Sequence, residues 1–526
     1  MKLATAAQMK EMDRIAIEER GIDSLLLMER AASRLVDEIL KLPRRIRTAG
    51  CGPIYAKSDK APTQEELDAY LLRQPRSAIA FCGPGNNGGD GITAARLLLK
   101  QGWRVKCVLV GAREHMTQDS RAMEQKLIAA GGRLEDFSPD RWGEYMGYEV
   151  AIDALFGVGL NSDLRGDAVE AVREMKSASW IVAADVPSGV SADTGEIMGT
   201  AVQADLTVTF SMGKPGLFTG KGAVYSGKVV IADIGIPQDL LEKYGDASEI
   251  TVMEQPVLRR RRRDAHKGDF GRVFILAGSR GYTGAPVIAS RAAVRSGAGL
   301  VTLAVPEEIY PIVAVQCEGA MPWPLPDEYG EILKKAAACD VVLIGPGLGQ
   351  SAQTEELVLR LLQDLKCPVI VDADGLNILA RHIDILDRRE GVTILTPHDG
   401  EFARLSGCGL PIVDRLATAR NFAKQHQCIL VLKGYRTIAA AWTKKCVVNT
   451  TGNPGMARGG SGDALAGIMA GCLAQRKTVD TVPEAIWFHG RAGDLAAADK
   501  GEYGMTVGDL IEQLPYALKE CEEEAF

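Results

Sequence analysis

From Ala78 onward, short apolar runs alternate with stretches whose apolar residues recur at helical spacing. The runs AIAFCG, WRVKCVLVG, EVAIDALFG, WIVAADVPSG, DLTVTF and GKVVIADIG come first. After a break near KYGDASEITVMEQPVLRRRRRD the rhythm resumes with RVFILAGS, LVTLAVP, DVVLIGPG, PVIVDADG, VTILTPH and CILVLKG. Apolar runs of about four to eight residues, bounded by glycine, proline or aspartate, read as strands buried on both faces, and the periodic segments between them as crossover helices. This alternation predicts parallel sheets with helices on either side. The break predicts a boundary between Tyr244 and Arg259, with one α/β domain over residues 1–245 and a second over 255–526. The halves carry different motifs, so no internal repeat is read. The start, MKLATAAQMKEMDRIAIEERG, reads as an amphipathic helix. Residues 42–77, rich in proline and arginine, read as a surface insertion, with a lid as the alternative.

A chain of 526 residues is too long for one core, which agrees with two large units. With 46% hydrophobic and 25% charged residues, neither disorder nor a fibrous repeat is indicated. The formal charge of −7 argues against a general nucleic-acid binder. Arg259–Arg263 is the local exception, read as a solvated linker or helix end rather than as a patch for nucleic acid or membrane. Eleven cysteines without a C-x-x-C pair suggest neither a disulfide framework nor a zinc site, and a reducing cytoplasm fits. No signal-peptide core or membrane span is read. The six histidines lack ligand spacing. Small molecules are therefore the expected partners.

In FCGPGNNGGDGITAARLLLKQG, Gly83, Gly85 and Gly88 fit G-x-G-x-x-G ahead of a helix, whose N-terminus offers open N–H groups to an anion. A dinucleotide-cofactor turn is usually lined by small apolar residues; this one carries Asn86, Asn87 and Asp90. Ligands of an open parallel sheet sit beyond the strands' carboxyl ends, so polar residues following strand runs should converge. Asp153 before GVGLNSD, and Asp185 with Ser188 in AADVPSG, meet that condition. Their oxygens suit a hard cation, and a carboxylate among them can move protons. Capping of strand ends is the competing structural reading.

The helix AQMKEMDRIAIEERGIDSLLLMERAA, followed by GPGNNGGDG, DALFGVGL and DVPSG, resembles the epimerase domain of the NAD(P)H-hydrate repair family over most of residues 1–240. The insertion departs from it. The resemblance implies a Rossmann-like domain in which Asn86, Asn87, Gly88, Gly89 and Asp90, then Gly157, Val158, Gly159, Leu160, Asn161, Ser162 and Asp163, and Asp185, hold the damaged nucleotide. It further implies potassium at Asn87, Asp153 and Ser188. The glycine turn would then cradle a dinucleotide as substrate. Asp185 is the expected proton-handling residue.

Farther on, NTTGNPGMARGGSGDALAGIMAGCLA joins a glycine-rich loop to a helix beginning near Gly462, with Asp463 at its mouth. Backbone N–H groups there can receive a phosphoryl group while the carboxylate takes a proton from an attacking hydroxyl. On the residues alone, a small-molecule kinase fused to a binding module, or a non-catalytic nucleotide sensor, stays open; the acids Asp185 and Asp463 weigh against the sensor. The loop resembles the ribokinase-like fold. With HKGDFGRVFILAGSRGYTGAP, SGAGLVTLAVP, GPGLG, VDADGLNIL, TPHDGEFARL and LKGYRT, it resembles the ADP-dependent NAD(P)H-hydrate dehydratase domain over nearly all of 255–515. That implies Ala285, Gly347, His398 and Asp463 on the hydrated nucleotide. It implies ADP, with magnesium, on Lys433, Gly434, Tyr435, Arg436 and Thr437 and on Asn453, Pro454, Gly455, Met456, Ala457, Arg458, Gly459, Gly460, Ser461 and Gly462. Without its context, His398 reads equally as a hydrogen-bonded structural histidine. The substrates implied are hydrated NADH and NADPH, with Asp463 as base, and a homo-oligomer is expected.

Overall fold

The computed structural model describes residues 1–45, 75–443 and 445–523. Of the proline- and arginine-rich insertion, residues 46–74 therefore lie outside the described residues. The chain divides into two compact units, Lys2–Ser248 and Glu249–Phe526, the second taking in Met1.

The first unit is built on seven parallel strands in the order β3-β2-β1-β4-β5-β6-β7. They are β1 (Ser77–Cys82), β2 (Arg104–Leu109), β3 (Leu134–Asp136), β4 (Val150–Ala154), β5 (Trp180–Ala184), β6 (Leu206–Phe210) and β7 (Lys228–Ala232). Every residue of β1 is buried. Ala78, Ala80 and Cys82 join the core formed with helices Ser24–Leu40 and Asn86–Lys100, while Ile79 and Phe81 join Val172 and Met175 of helix Asp167–Met175 in another. Burial on two faces explains why the run is apolar without alternation. The order reverses between β1 and β4, which opens a crevice at their carboxyl ends.

The second unit holds ten strands in the order β11-β10-β9-β12-β13-β14-β15-β16-β17-β8. Its parallel part comprises β9 (Arg272–Leu276), β10 (Leu300–Val305), β11 (Met321–Pro324), β12 (Val341–Ile344), β13 (Val369–Val371), β14 (Thr393–Leu395) and β15 (Ile429–Leu432). Here the reversal falls between β9 and β12. The sheet is not wholly parallel as the alternation predicts. Strands β16 (Ile438–Ala441) and β17 (Cys446–Val448) extend it antiparallel, and β8 (Ile250–Val252), inside the break in the pattern, pairs parallel with β17. Helix Ser461–Arg476 packs on helix Gly284–Arg295 at close approach: a Cβ on Gly467 would lie 2.1 Å from the Ala289 carbonyl oxygen. Arg259–Arg263 is exposed, and Arg261 lies over the Phe270 ring. Among the described residues, no helix is long and apolar enough to cross a membrane.

Candidate active sites

At the first reversal, the glycine turn follows β1 and delivers its polar residues into a cleft of about 530 Å³. Two of its glycines are required by packing. A Cβ on Gly88 would fall 1.7 Å from the Gly83 carbonyl oxygen, and one on Gly83 would fall 2.0 Å from that of Leu155. Gly85 caps helix Asn86–Lys100 with no side-chain hydrogen bond, which leaves first-turn amides open to a ligand. Asn86, Asn87, Asp90, Gly157, Val158, Gly159, Leu160 and Asp185 all line the cleft. Gly88 and Gly89 are buried beneath it, whereas Asn161, Ser162 and Asp163 are exposed and do not line it. Its other wall is apolar, with Met9, Ile17, Leu27, Met28 and Ala31.

Asp185 follows β5 in a left-handed conformation, φ +67°, unusual outside glycine. Its Oδ1 accepts from Lys214 Nζ at 2.6 Å, Thr209 Oγ1 at 3.1 Å and the Phe210 amide at 3.3 Å. The Lys214 amine is buried and also donates to Thr209 Oγ1 and the Phe210 carbonyl, so it fixes the carboxylate at the cleft floor. The other oxygen, Oδ2, is turned toward Gly157, where a Cβ would come within 3.2 Å of it. Asp90 is raised well above the usual carboxylate range, by burial first and then by the carboxylates of Asp185 and Asp13. Lys214 and Asp13 were not singled out from the sequence. Lys214 sits just beyond the strand run DLTVTF, so the rule that found Asp185 could have found it; Asp13 stands on a helix face, where no such rule operates.

Behind this floor, Asp153, next to last in β4, is fully buried. Its oxygens accept from the Ser188 hydroxyl at 2.6 Å, the Ser188 amide at 2.7 Å and the Leu155 amide at 3.3 Å. Ser188 Oγ also accepts from the Phe156 amide at 3.0 Å, and Asn87 abuts the adjacent Gly157. The three expected cation ligands thus meet around Phe156–Gly157. Among the described residues no cationic side chain pairs with Asp153, and burial pushes its carboxyl up to about 6. Asn87 Nδ2 is likewise buried without a hydrogen-bond partner among them.

The second group of candidate residues lies beyond the ends of β13, β14 and β15. Asp463 stands in the first turn of helix Ser461–Arg476, which starts after Gly460 at φ +91° with no side-chain cap. Burial, and next the Asp372 carboxylate, push Asp463 up to about 7, with Lys433 acting in the opposite sense. Lys433 Nζ is 2.8 Å from Asp372 Oδ1 and 3.8 Å from Glu401, and a Cβ on Gly462 would approach it to 3.2 Å. Asp372, almost fully buried, also accepts from Thr396 Oγ1 at 2.8 Å. Asp372 and Glu401 were not singled out either, although Asp372 closes the strand run PVIVDADG.

Gly347 and Ala285 face each other, and a Cβ on the glycine would sit 3.0 Å from that of the alanine. His398 caps helix Asp399–Ser406: Nδ1 accepts from the Gly400 amide at 3.0 Å and the Glu401 amide at 3.2 Å, and its own amide donates to Glu401. This pattern assigns the hydrogen to Nε2, and the side chain is 57% exposed. His398 thus caps the helix, with Nε2 3.5 Å from Glu401 Oε1. In the glycine-rich loop, Asn453 Oδ1 accepts from the Gly455 amide and Nδ2 donates to Asp494, while Arg458 donates to the Gly455 carbonyl. Across from it, Arg436 at φ +63° donates to the Thr450 carbonyl, Thr437 donates to that of Gly434, and Tyr435 is exposed.

An acid-lined cleft at the strand reversal of the first sheet and an acid–lysine cluster beyond β13, β14 and β15 of the second define an enzyme with two sites. Residues 24–216 match the family model described as YjeF-related protein N-terminus, and residues 273–516 that of NAD(P)H-hydrate dehydratase. The bifunctional NAD(P)H-hydrate repair enzyme of Moorella thermoacetica is 37% identical, the alignment covering 100% of this chain and 98% of that protein. That of Thermofilum pendens is 35% identical over 100% and 97%. A solved ADP/ATP-dependent NAD(P)H-hydrate dehydratase from Bacillus subtilis, co-crystallised with ATP and Mg2+, is 31% identical over 52% of this chain and 100% of its own, with a TM-score of 0.44. The chain belongs to the family of bifunctional NAD(P)H-hydrate repair enzymes.

Proposed function

We propose that the first unit interconverts the R and S hydrates of NADH and NADPH, and that the second dehydrates the S hydrate at the expense of ADP, giving AMP, phosphate and NAD(P)H. The observation that carries this reading is Asp463, pushed up to about 7 at the open start of helix Ser461–Arg476 with the Lys433 ammonium close by. Hydroxide is a poor leaving group from saturated carbon at neutral pH. Asp463 takes the hydroxyl proton, the oxygen attacks the terminal phosphorus of ADP, and AMP departs. The phosphate then leaves from carbon with help from the ring nitrogen's lone pair, and loss of a proton from the neighbouring carbon restores the ring. Lys433–Thr437 and Asn453–Gly462 hold the nucleotide. Magnesium arrives on the phosphates, so the chain need supply few ligands of its own.

In the first cleft, the open amides after Gly85 receive the substrate's diphosphate, and Asp185 handles the proton of epimerisation. Potassium is held by Asn87, Asp153 and Ser188: a single buried negative charge among neutral oxygens suits a monovalent ion. Bound there, it supplies the counter-charge that Asp153 lacks. The chain works in the cytoplasm as a homo-oligomer on small nucleotides, without nucleic acid. The test is to incubate hydrated NADH with the protein and ADP and follow reduced-nicotinamide absorbance. Its return supports the reading; a stable phosphorylated product in its place identifies a small-molecule kinase.

A further inference from the structure

The first cleft holds a carboxylate that neither nucleotide binding nor the cation explains. Asp13 lies on helix Ala6–Arg14, upstream of the stretch 24–216 that matches the family model. The helix is firmly placed: Thr5 and Gln8 form a capping box at its start, and Met9 and Met12 pack with Ala4 and Met212. Asp13 therefore reaches the cleft from a rigid element. It is half-buried among Met9, Ile17, Leu27 and Met28 and makes no hydrogen bond or ion pair within bonding distance to any described residue. Lys214, the nearest cationic influence on it, has its ammonium engaged by Asp185, Thr209 and the Phe210 carbonyl. Of the four carboxyl groups lining the cleft, two stand in opposite settings: Asp185 held by a buried ammonium, Asp13 left against an apolar wall. Such a division marks a base and an acid.

We propose that Asp13 is the general acid of epimerisation, protonating the ring nitrogen of the hydrate while Asp185 removes the proton of the hydroxyl on the adjacent carbon. This rests on reading the first unit as the epimerase. As Asp185 takes the hydroxyl proton, the carbon–oxygen bond becomes a carbonyl and the carbon–nitrogen bond breaks. Its electron pair passes to nitrogen, which receives the Asp13 proton. Rotation about the neighbouring carbon–carbon bond exposes the carbonyl's other face. In the reverse transfers Asp13 recovers its proton from nitrogen, nitrogen attacks the carbonyl carbon, and Asp185 returns its proton to oxygen. Both carboxyls end as they began, with no water, oxidant or reductant consumed.

The electrostatics agree with this division. Burial pushes Asp13 up to about 6, with Lys214 lowering it and Asp185 raising it. Asp90, Asp119 and Lys10 also face the cleft. Burial raises Asp90 well above the usual carboxylate range, and an acid of about 6 such as Asp13 can give up a proton and take it back near neutral pH.

The test uses the full chain and one purified hydrate epimer. Appearance of the other epimer is followed by chromatography across pH for wild type, Asp13→Asn and Asp13→Glu, with ADP-dependent dehydration of the S epimer read in parallel. Asp13→Asn is expected to slow epimerisation by about 10²–10⁴-fold with dehydration unchanged. Asp13→Glu is expected to recover most of the rate. The wild-type rate should fall as pH rises through about 6, because the acid form is lost, and the residual Asp13→Asn rate should lack that limb. A merely structural aspartate would not produce the limb. A competent wild type with a competent Asp13→Asn variant, or with the limb kept in that variant, overturns the role of Asp13 alone. A wild type that fails to interconvert the epimers, while still dehydrating, overturns the epimerase reading and this proposal with it.

Discussion

Asp463 shows how one side chain acquires its chemistry from its neighbours. Burial and the neighbouring Asp372 carboxylate, only partly offset by Lys433, push its carboxyl up to about 7, where it can accept a proton under neutral conditions. Asp463→Asn preserves shape but removes the proposed base, so dehydration should fall about 10²–10⁴-fold while nucleotide binding, measured by calorimetry, persists. Because the carboxylate is the active form, wild-type kcat/KM for dehydration should rise with pH through about 7. Wild-type turnover in the variant would remove the assignment. Asp153 makes a different case, a buried carboxylate whose partners are all neutral among the described residues. Replacing potassium by tetramethylammonium should lower both the epimerisation rate and the first unit's melting temperature, since a ion bound only to the folded state stabilises it. Unchanged epimerisation after exhaustive exchange would dispose of the potassium site. At this scale the sequence was readable wherever a polar residue follows an apolar run, as with Asp153, Asp185 and Asn87. It did not reveal the left-handed turn at Asp185, a local dihedral no residue type announces, nor Asp13 reaching in from a helix, nor that the Lys214 ammonium beyond DLTVTF is the one that holds Asp185, pairings that depend on contacts between distant segments.

Most strands legible in the pattern are buried on both faces; the edge strand β7 and the start of β2 are only partly buried. Every apolar run quoted above contains a strand, β1 and β15 among them, since a doubly covered strand admits few polar residues. Those that escaped are short or marginal: β3 is Leu-Glu-Asp at a sheet edge, β11 contains two prolines at another edge, and β16 is three alanines after an isoleucine. Such residues have little strand preference and are ordered by their neighbours. Helix Ser461–Arg476 is positioned by glycine. Any side chain at Gly467 meets the Ala289 carbonyl oxygen, which is backbone and cannot turn aside. Gly467→Ala should therefore force helices Ser461–Arg476 and Gly284–Arg295 apart and cost about 1–3 kcal/mol. Asp463 lies one helical turn away, so dehydration should slow although the substituted position is outside the nucleotide loop. Thermal melts and kinetics of the variant check both; a stable, fully active Gly467→Ala protein would show that the close approach does not set the site.

Two units in one chain make chemical sense when the substrate has a stereocentre. A dehydratase that accepts one epimer strands the other, and an epimerase on the same chain recovers it. Each unit has its own sheet and core, so disabling one site should leave the other folded and active. Asp185→Ala removes the proposed base of the first cleft and releases the Lys214 ammonium from its carboxylate partner, leaving Thr209 and the Phe210 carbonyl to hold it. Given a fresh mixture of both hydrate epimers and excess ADP, the wild type should restore essentially all of the reduced nucleotide in one phase. The variant should consume the epimer its second site accepts at the wild-type rate, then slow to the pace of uncatalysed interconversion. Isolating the remaining hydrate at the break should yield a single epimer. Progress in one phase to completion, at the wild-type rate and where spontaneous epimerisation is slow, would take Asp185 out of the mechanism. An early rate that is also reduced would show that the two sites are not independent.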